Sequence, residues 1–255
     1  MNLNMIDREY QNRIVKEFLK INYEDGIKLI DEIIHKHYND LFIKEIIISL
    51  TKNKKRQTYI IYEYLIKNID IDINTNLVAF MCVEYKNSTF FKYLNNKKKI
   101  DINSTNQYNN TLLMIASTNV DRDMIHYLLK NGANKTINNR NMFGETALTC
   151  LLRSSVYNNK LLTRKTGSYI DALELLLNNG SDINLVYCET GHNILMHAIR
   201  QYLPVNVIKL FLMHGVDINF VNKKYNITAL DLAKHSYKKY VKTLLKFNGK
   251  SASEL

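Results

Sequence analysis

The residues able to do chemistry are few, and their spacing argues against catalysis. His192 and His197 stand five residues apart, whereas a helix that grips zinc through H-E-x-x-H needs its imidazoles four apart on one face. Paired carboxylates are the usual source of general acid and base. Here Asp121 and Asp123 open an apolar helical block, and Asp182 and Asp217 are one position seen twice in matching tails. Cys82, Cys150 and Cys188 are odd in number and lack C-x-x-C spacing. The first two fall inside apolar helical blocks, where cysteine serves as a small buried apolar residue, and that usage suits a reducing compartment such as the cytosol. No phosphate-cradling G-x-x-x-x-G-K-[ST], no G-x-G-x-x-G and no G-x-S-x-G is present. The expectation is a chain that is not an enzyme and takes no cofactor or metal.

The elements that would position any site come in copies. TLLMIA at 111–116 returns as TALTCL at 146–151, NILMHA at 193–198 and TALDLA at 228–233, with a looser copy, NLVAFM, at 76–81. First residues Asn76, Thr111, Thr146, Asn193 and Thr228 are spaced 35, 35, 47 and 35 apart. Thr and Asn at these places can cap a helix by accepting from a backbone N–H two or three residues on. Two residues earlier stand Asn109, Gly144, Gly191 and Asn226, types that tolerate positive φ and so permit a sharp turn. Second blocks, MIHYLL at 124–129, ALELLL at 172–177 and VIKLFL at 207–212, run at helical spacing into Gly132, Gly180 and Gly215, residues expected just past a helix C-terminus. Two short helices and a turn cannot enclose their own apolar faces, so each unit must stack on its neighbours. Leu113, Leu148, Leu195 and Leu230 then share one core position, and Ala116, Ala198 and Ala233 let helices approach closely.

The period and the T-x-L-x-x-A core resemble the ankyrin repeat. The resemblance implies an all-α solenoid of stacked helix–turn–helix units with short turn or hairpin tips. It divides the chain into a helical N-terminal cap with one or two degenerate repeats over 1–74, a looser repeat over 75–103, and repeats over 104–138, 139–184 and 185–219. A capping repeat over 220–255 ends the array. The family's Pro and His inside T-P-L-H are replaced by Leu112, Ala147, Ile194 or Ala229 and by Met114, Thr149, Met196 or Asp231, which predicts weaker helix entry. Leu151 replaces a small residue, and Lys97 and Ile69 stand where the post-helix glycine belongs. The 47-residue interval holds an insert near 153–165, either a neutral surface loop or a contact loop using Arg153, Tyr157, Lys160 and Arg164.

Composition bounds the partners. The net charge of +11 lies wholly in 75–255, because residues 1–74 hold 12 basic and 12 acidic groups. It is densest where Lys234, Lys238, Lys239, Lys242 and Lys246 follow Asp231; on one continuous last helix, Lys234, Lys238 and Lys242 would share a face able to draw nucleic acid or an acidic surface. The bland account is codon bias: 27 Lys against 8 Arg, with 17 Tyr and no Trp, is what an AT-rich genome produces. The start is charged throughout, so no cleavable leader is expected, and no apolar run approaches the ~20 residues of a membrane span. With six residues after Gly249, no F-box-like domain is expected to follow, and a ubiquitin-ligase adaptor is not the expected role.

The resemblance implies a protein–protein interaction module, probing its partner with the tips at 105–109, 139–144, 187–191 and 222–226 and with the first helices. Tyr108, Phe143 and Tyr225 each stand just before the turn residue, as contact anchors or as braces for the turn. Tyr187, with Arg140, Lys223 and Lys224 as a charged rim, completes the candidate partner-binding set. Nucleic-acid or acidic-surface binding through the Lys-rich end is the alternative. Worn, AT-biased arrays resemble those of large DNA viruses and intracellular bacteria, which implies a host protein as partner, a monomer and a cytosolic, host-cell location.

Overall fold

The computed structural model describes residues 13, 24–28, 31, 40–52, 61–64, 67, 75–98, 100–157, 166–187 and 190–255. Its α-helices are α1 (Asp40–Lys52), α2 (Thr75–Glu84), α3 (Ser88–Lys98), α4 (Leu112–Thr118), α5 (Arg122–Lys130), α6 (Ala147–Tyr157), α7 (Thr166–Asn178), α8 (Ile194–Arg200), α9 (Val205–Met213), α10 (Ala229–Ser236) and α11 (Val241–Lys246). First helices pack on first helices, α4 against α2 and α6 and α8 against α10, while α5 packs on α7. Leu113, Leu148, Leu195 and Leu230 are buried in one continuous core with Ala116, Ala198 and Ala233. Each Leu side chain removed from water there contributes roughly 1.5–3 kcal/mol, and neighbouring units supply the cover.

The local signals act as their chemistry dictates. Thr111, Asn193 and Thr228 cap α4, α8 and α10, accepting from the N–H groups of Met114, Met196 and Asp231 at 3.2, 3.0 and 3.3 Å. Asn109, Gly144, Gly191 and Asn226 all take positive φ, 56°, 74°, 67° and 51°. Asn76 departs from the pattern, lying inside α2, which begins one residue earlier at Thr75. The loss of the family's His does not leave the helix entries open. Thr149 Oγ1 accepts from the Thr146 N–H at 2.8 Å, and Asp231 Oδ2 accepts from the Thr228 N–H at 3.0 Å, so both caps close reciprocally. Without a glycine, α3 runs through Lys97, and Asn95 Oδ1 accepts from the Ile100 N–H at 3.2 Å. Ile69 lies outside the described residues.

Two features carry no family-level cue in the residues quoted above. The turn between paired helices is left-handed at Lys86, Val120 and Tyr202. A ladder of asparagines from the repeat tails stitches unit to unit. Asn103 Nδ2 donates to the Gly132 carbonyl at 3.2 Å and Asn138 Nδ2 to that of Gly180 at 2.9 Å. Asn184 and Asn219 accept from the N–H groups of Asp217 and Lys250, both at 2.8 Å.

The insert begins as a longer helix, since α6 has 11 residues where α4 and α8 have 7. Arg153 belongs to that helix and folds back on Glu145, with Nε to Oε1 2.6 Å and Nη2 to Oε2 3.1 Å. It is therefore no free loop residue. Lys160 and Arg164 lie outside the described residues, as does the side chain of Tyr157. The Lys-rich end is not one helix: the chain breaks at Tyr237 (φ −136°, ψ 50°), passes through a 3-10 turn at Lys238–Tyr240 and restarts as α11. Tyr240 forces the break, buried with its hydroxyl donating to the Leu203 carbonyl at 2.6 Å.

Candidate partner-binding face

Each tip is built by a side chain that bonds its own backbone. Asn106 Oδ1 accepts from the N–H groups of Tyr108 and Asn110 at 2.9 and 3.0 Å, and Asn141 Oδ1 from those of Phe143 and Glu145, both at 2.9 Å. Asn222 Oδ1 accepts from the Lys224 N–H at 2.9 Å. These Asx turns leave the next residues outside. Adjacent tips are tied as well: the Met142 N–H donates to the Tyr108 carbonyl at 3.1 Å, and Asn222 Nδ2 to that of Thr190 at 2.9 Å. Within each tied pair the tip backbone is held, so a side chain displayed there loses little freedom on binding.

The display is aromatic and basic. Phe143 is 71% exposed, Tyr225 52% and Tyr108 46%. Met142 adds an exposed apolar side chain that sequence reasoning missed, because only the ring positions repeat. Arg140 is exposed, its Nη1 3.5 Å from the Gly144 carbonyl; Lys223 and Lys224 are exposed, with Lys224 Nζ 5.4 Å over the Tyr225 ring.

A family model described as ankyrin repeats matches three stretches, residues 50–139, 77–162 and 161–253. The chain belongs to the ankyrin repeat family. A comparison with curated proteins finds no match. Ankyrin repeats are in general protein–protein interaction modules, and the family is typically non-enzymatic. Among the described residues no helix is long and apolar enough to cross a membrane.

Against the ankyrin frame, Tyr187 is a correction. It occupies the place that Asn106, Asn141 and Asn222 hold in other tips, its N–H donating to the His192 carbonyl at 2.9 Å as that of Asn222 donates to Ile227. From there the ring turns inward and stacks on His197, centroids 4.0 Å apart, with its hydroxyl buried. Burial, then the neighbouring Tyr169, Glu145 and Cys150, hold the phenol well above its usual range. Tyr187 is a brace, not a displayed anchor. His197 is correspondingly neutral, pushed down to about 4 by burial and by the charges of His192 and Arg200.

The lysines also separate. Lys234 Nζ donates to Ser251 Oγ at 2.8 Å, and Lys239 Nζ donates to the Tyr202 carbonyl at 3.3 Å while lying 3.3 Å from the Tyr202 ring centroid. Lys238, Lys242 and Lys246 are exposed on the 3-10 turn and α11. The single face at four-residue spacing is not formed. Cys82 and Cys150 are buried and free, burial raising both thiols, that of Cys150 to about 12. Cys188 lies outside the described residues.

A column of first-helix residues also escaped sequence reasoning. Thr118, Arg153, Arg200 and His235 recur at the 35, 47 and 35 spacing, and all are exposed. Arg153 reaches the tip-proximal Glu145, and Arg200 Nη1 stands 3.1 Å from His192 Nε2, so this column faces the tip side.

Proposed function

We propose that this chain is a non-enzymatic module that holds a protein partner in the groove between its ankyrin tips and its first helices. The observation that carries the reading is the row Tyr108, Phe143 and Tyr225, three rings on tips braced by their own Asx turns and left exposed. Aromatic side chains on a rigid frame give large contact area at small entropic cost, the property of binding hot spots. Arg140, Lys223 and Lys224 rim the same edge. The partner is a host-cell protein met in a reducing compartment such as the cytosol, and the chain acts as a monomer.

The test uses the full chain carrying a photo-crosslinking residue in place of Met142 or, as a control, Lys242, with partners identified by mass spectrometry. Partners crosslinked from Met142 and lost in the Tyr108→Ala/Phe143→Ala/Tyr225→Ala variant support the reading. Equal crosslinking from both sites, or no change in the triple variant, overturns it. The alternative, nucleic-acid or acidic-surface binding through Lys234, Lys238, Lys239, Lys242 and Lys246, is less favoured by a geometry that ties down two of the five and splits the others. Retention on DNA that falls steeply with log salt would reinstate it.

A further inference from the structure

Corresponding positions in successive repeats point to the chemistry of the partner. Glu145 and His192 both stand immediately before a cap residue, 47 positions apart, and Arg153 and Arg200 both stand eight residues after them. In one repeat the arginine is neutralised internally: the Arg153 guanidinium forks onto both Glu145 oxygens at 2.6 and 3.1 Å. In the next repeat the same slot holds an imidazole. Arg200 Nη1 is 3.1 Å from His192 Nε2, and His192 is buried with its Nδ1 2.7 Å from Asn222 Nδ2. The arginine therefore keeps its charge without the acid its counterpart has.

The surroundings add positive charge. The Tyr225 ring lies 6.0 Å from that of His192, and Lys224 Nζ lies over Tyr225, so Lys224, Tyr225, His192 and Arg200 form one unbroken run from tip to helix. Among the described residues, the acid nearest in sequence on the following repeat, Asp231, is occupied, accepting from the N–H groups of Thr228 and Ala252 at 3.0 and 2.8 Å. Glu189 lies outside the described residues. An exposed arginine whose neighbour is an imidazole rather than an acid keeps its guanidinium fork available to a carboxylate from outside, and the adjacent Lys224 adds to that attraction.

We propose that Arg200 seats an Asp or Glu side chain of an acidic, apolar-flanked segment of the partner protein, His192 standing where an internal acid would otherwise fill the slot. This rests on the groove's being the protein-binding face. The inference is tested by selecting a random dodecapeptide library displayed on phage against the intact wild-type chain, Arg200→Gln, Arg153→Gln and His192→Glu, each checked for its far-ultraviolet circular dichroism melt. Synthetic peptides of the selected sequences are then titrated. The expected result is an acidic residue at a fixed position on wild type and on Arg153→Gln, with about 10- to 100-fold weaker binding of the Gln or Asn peptide. That preference should vanish on Arg200→Gln and also on His192→Glu, which supplies the acid internally and leaves Arg200 in place. Peptides with no fixed acid, an acid preference that survives both variants, or a 20-base-pair DNA that binds as tightly as the peptide overturns it. Non-acidic peptides that still need Tyr108, Phe143 and Tyr225 would overturn this inference alone, whereas no selected peptide family on wild type would overturn the groove reading with it.

Discussion

Replacing Asn193 should separate the two bonds by which one side chain holds both its own helix and the tail of its own repeat. Its Oδ1 accepts from the Met196 N–H at 3.0 Å, capping α8, and its Nδ2 donates to the Asp217 carbonyl at 2.8 Å. Loss of a cap costs about 1 kcal/mol, in a range of roughly 0.5–2. Loss of a neutral hydrogen bond costs about 1 kcal/mol more, held to that size because Asp217 is exposed and its carbonyl can turn to water. Asn193→Ala should therefore destabilise by about 2 kcal/mol. Asn193→Thr installs the cap used at Thr111 and Thr228 and should lose only the bond to the repeat tail, about 1 kcal/mol. Urea unfolding followed by circular dichroism at 222 nm reads both. With a slope of about 2 kcal/mol/M the midpoints should fall by about 1 M for Ala and half that for Thr, the slopes unchanged. A Thr variant as unstable as Ala would refute the capping step. A Thr variant as stable as wild type would refute the bridge. Slopes that change would show that the array has stopped unfolding as one unit.

Tyr187→Ala should cost about 2 kcal/mol in the same unfolding assay, since it removes a ring stacked on His197, whereas Phe143→Ala at a 71% exposed tip should stay within about 0.5 kcal/mol; equal effects would contradict the division into brace and displayed ring. Leu148→Ala, fully buried mid-array, should cost about 2–5 kcal/mol, and an unchanged melt would count against the shared core position. His197 gives a pH dependence. Burial and then its charged neighbours lower it to about 4 from 6.5, so the unfolded chain takes up a proton that the folded chain refuses. Stability is intact above pH 6.5 and declines from there to pH 4, by at most about 3 kcal/mol at 1.36 kcal/mol per pH unit. His197→Phe, which preserves a ring against Tyr187, should flatten that slope, and a wild-type profile already flat between pH 6.5 and 4 would refute the assignment.

The repeat positions were legible because each is fixed by a local interaction that a residue type announces. Thr111, Asn193 and Thr228 cap, Asn109 and Asn226 turn, and Gly132, Gly180 and Gly215 take the left-handed conformation past a helix. The left-handed turns at Lys86, Val120 and Tyr202 were not legible, since those side chains do not prefer that conformation and only the packing of paired helices holds them there. Tyr187 misled by its residue type. It stands six residues before the cap Asn193, as Asn222 stands six before Thr228, so counting puts it in the inward Asx position, where a tyrosine is not expected. The lysine face failed because four-residue spacing was followed across Tyr237, where burying Tyr240 bends the chain.

Arg200 shows why function is harder to read than fold in a repeat array. Nothing about an arginine in NILMHAIR distinguishes it from Arg153, and the pattern treats them as equivalents. Their difference lies in the partner residue eight positions earlier, Glu145 in one unit and His192 in the other, and only the hydrogen bonds reveal that these are partners at all. A repeat scaffold constrains the positions that recur, so its specificity is written in corresponding positions that differ while their neighbours do not. For this chain the difference of an acid by an imidazole leaves a charge unbalanced beside Tyr225 and Lys224. That imbalance, more than the net charge of +11, is what a partner would recognise, because the planar fork of one positioned arginine discriminates a carboxylate from its amide where scattered lysines only attract.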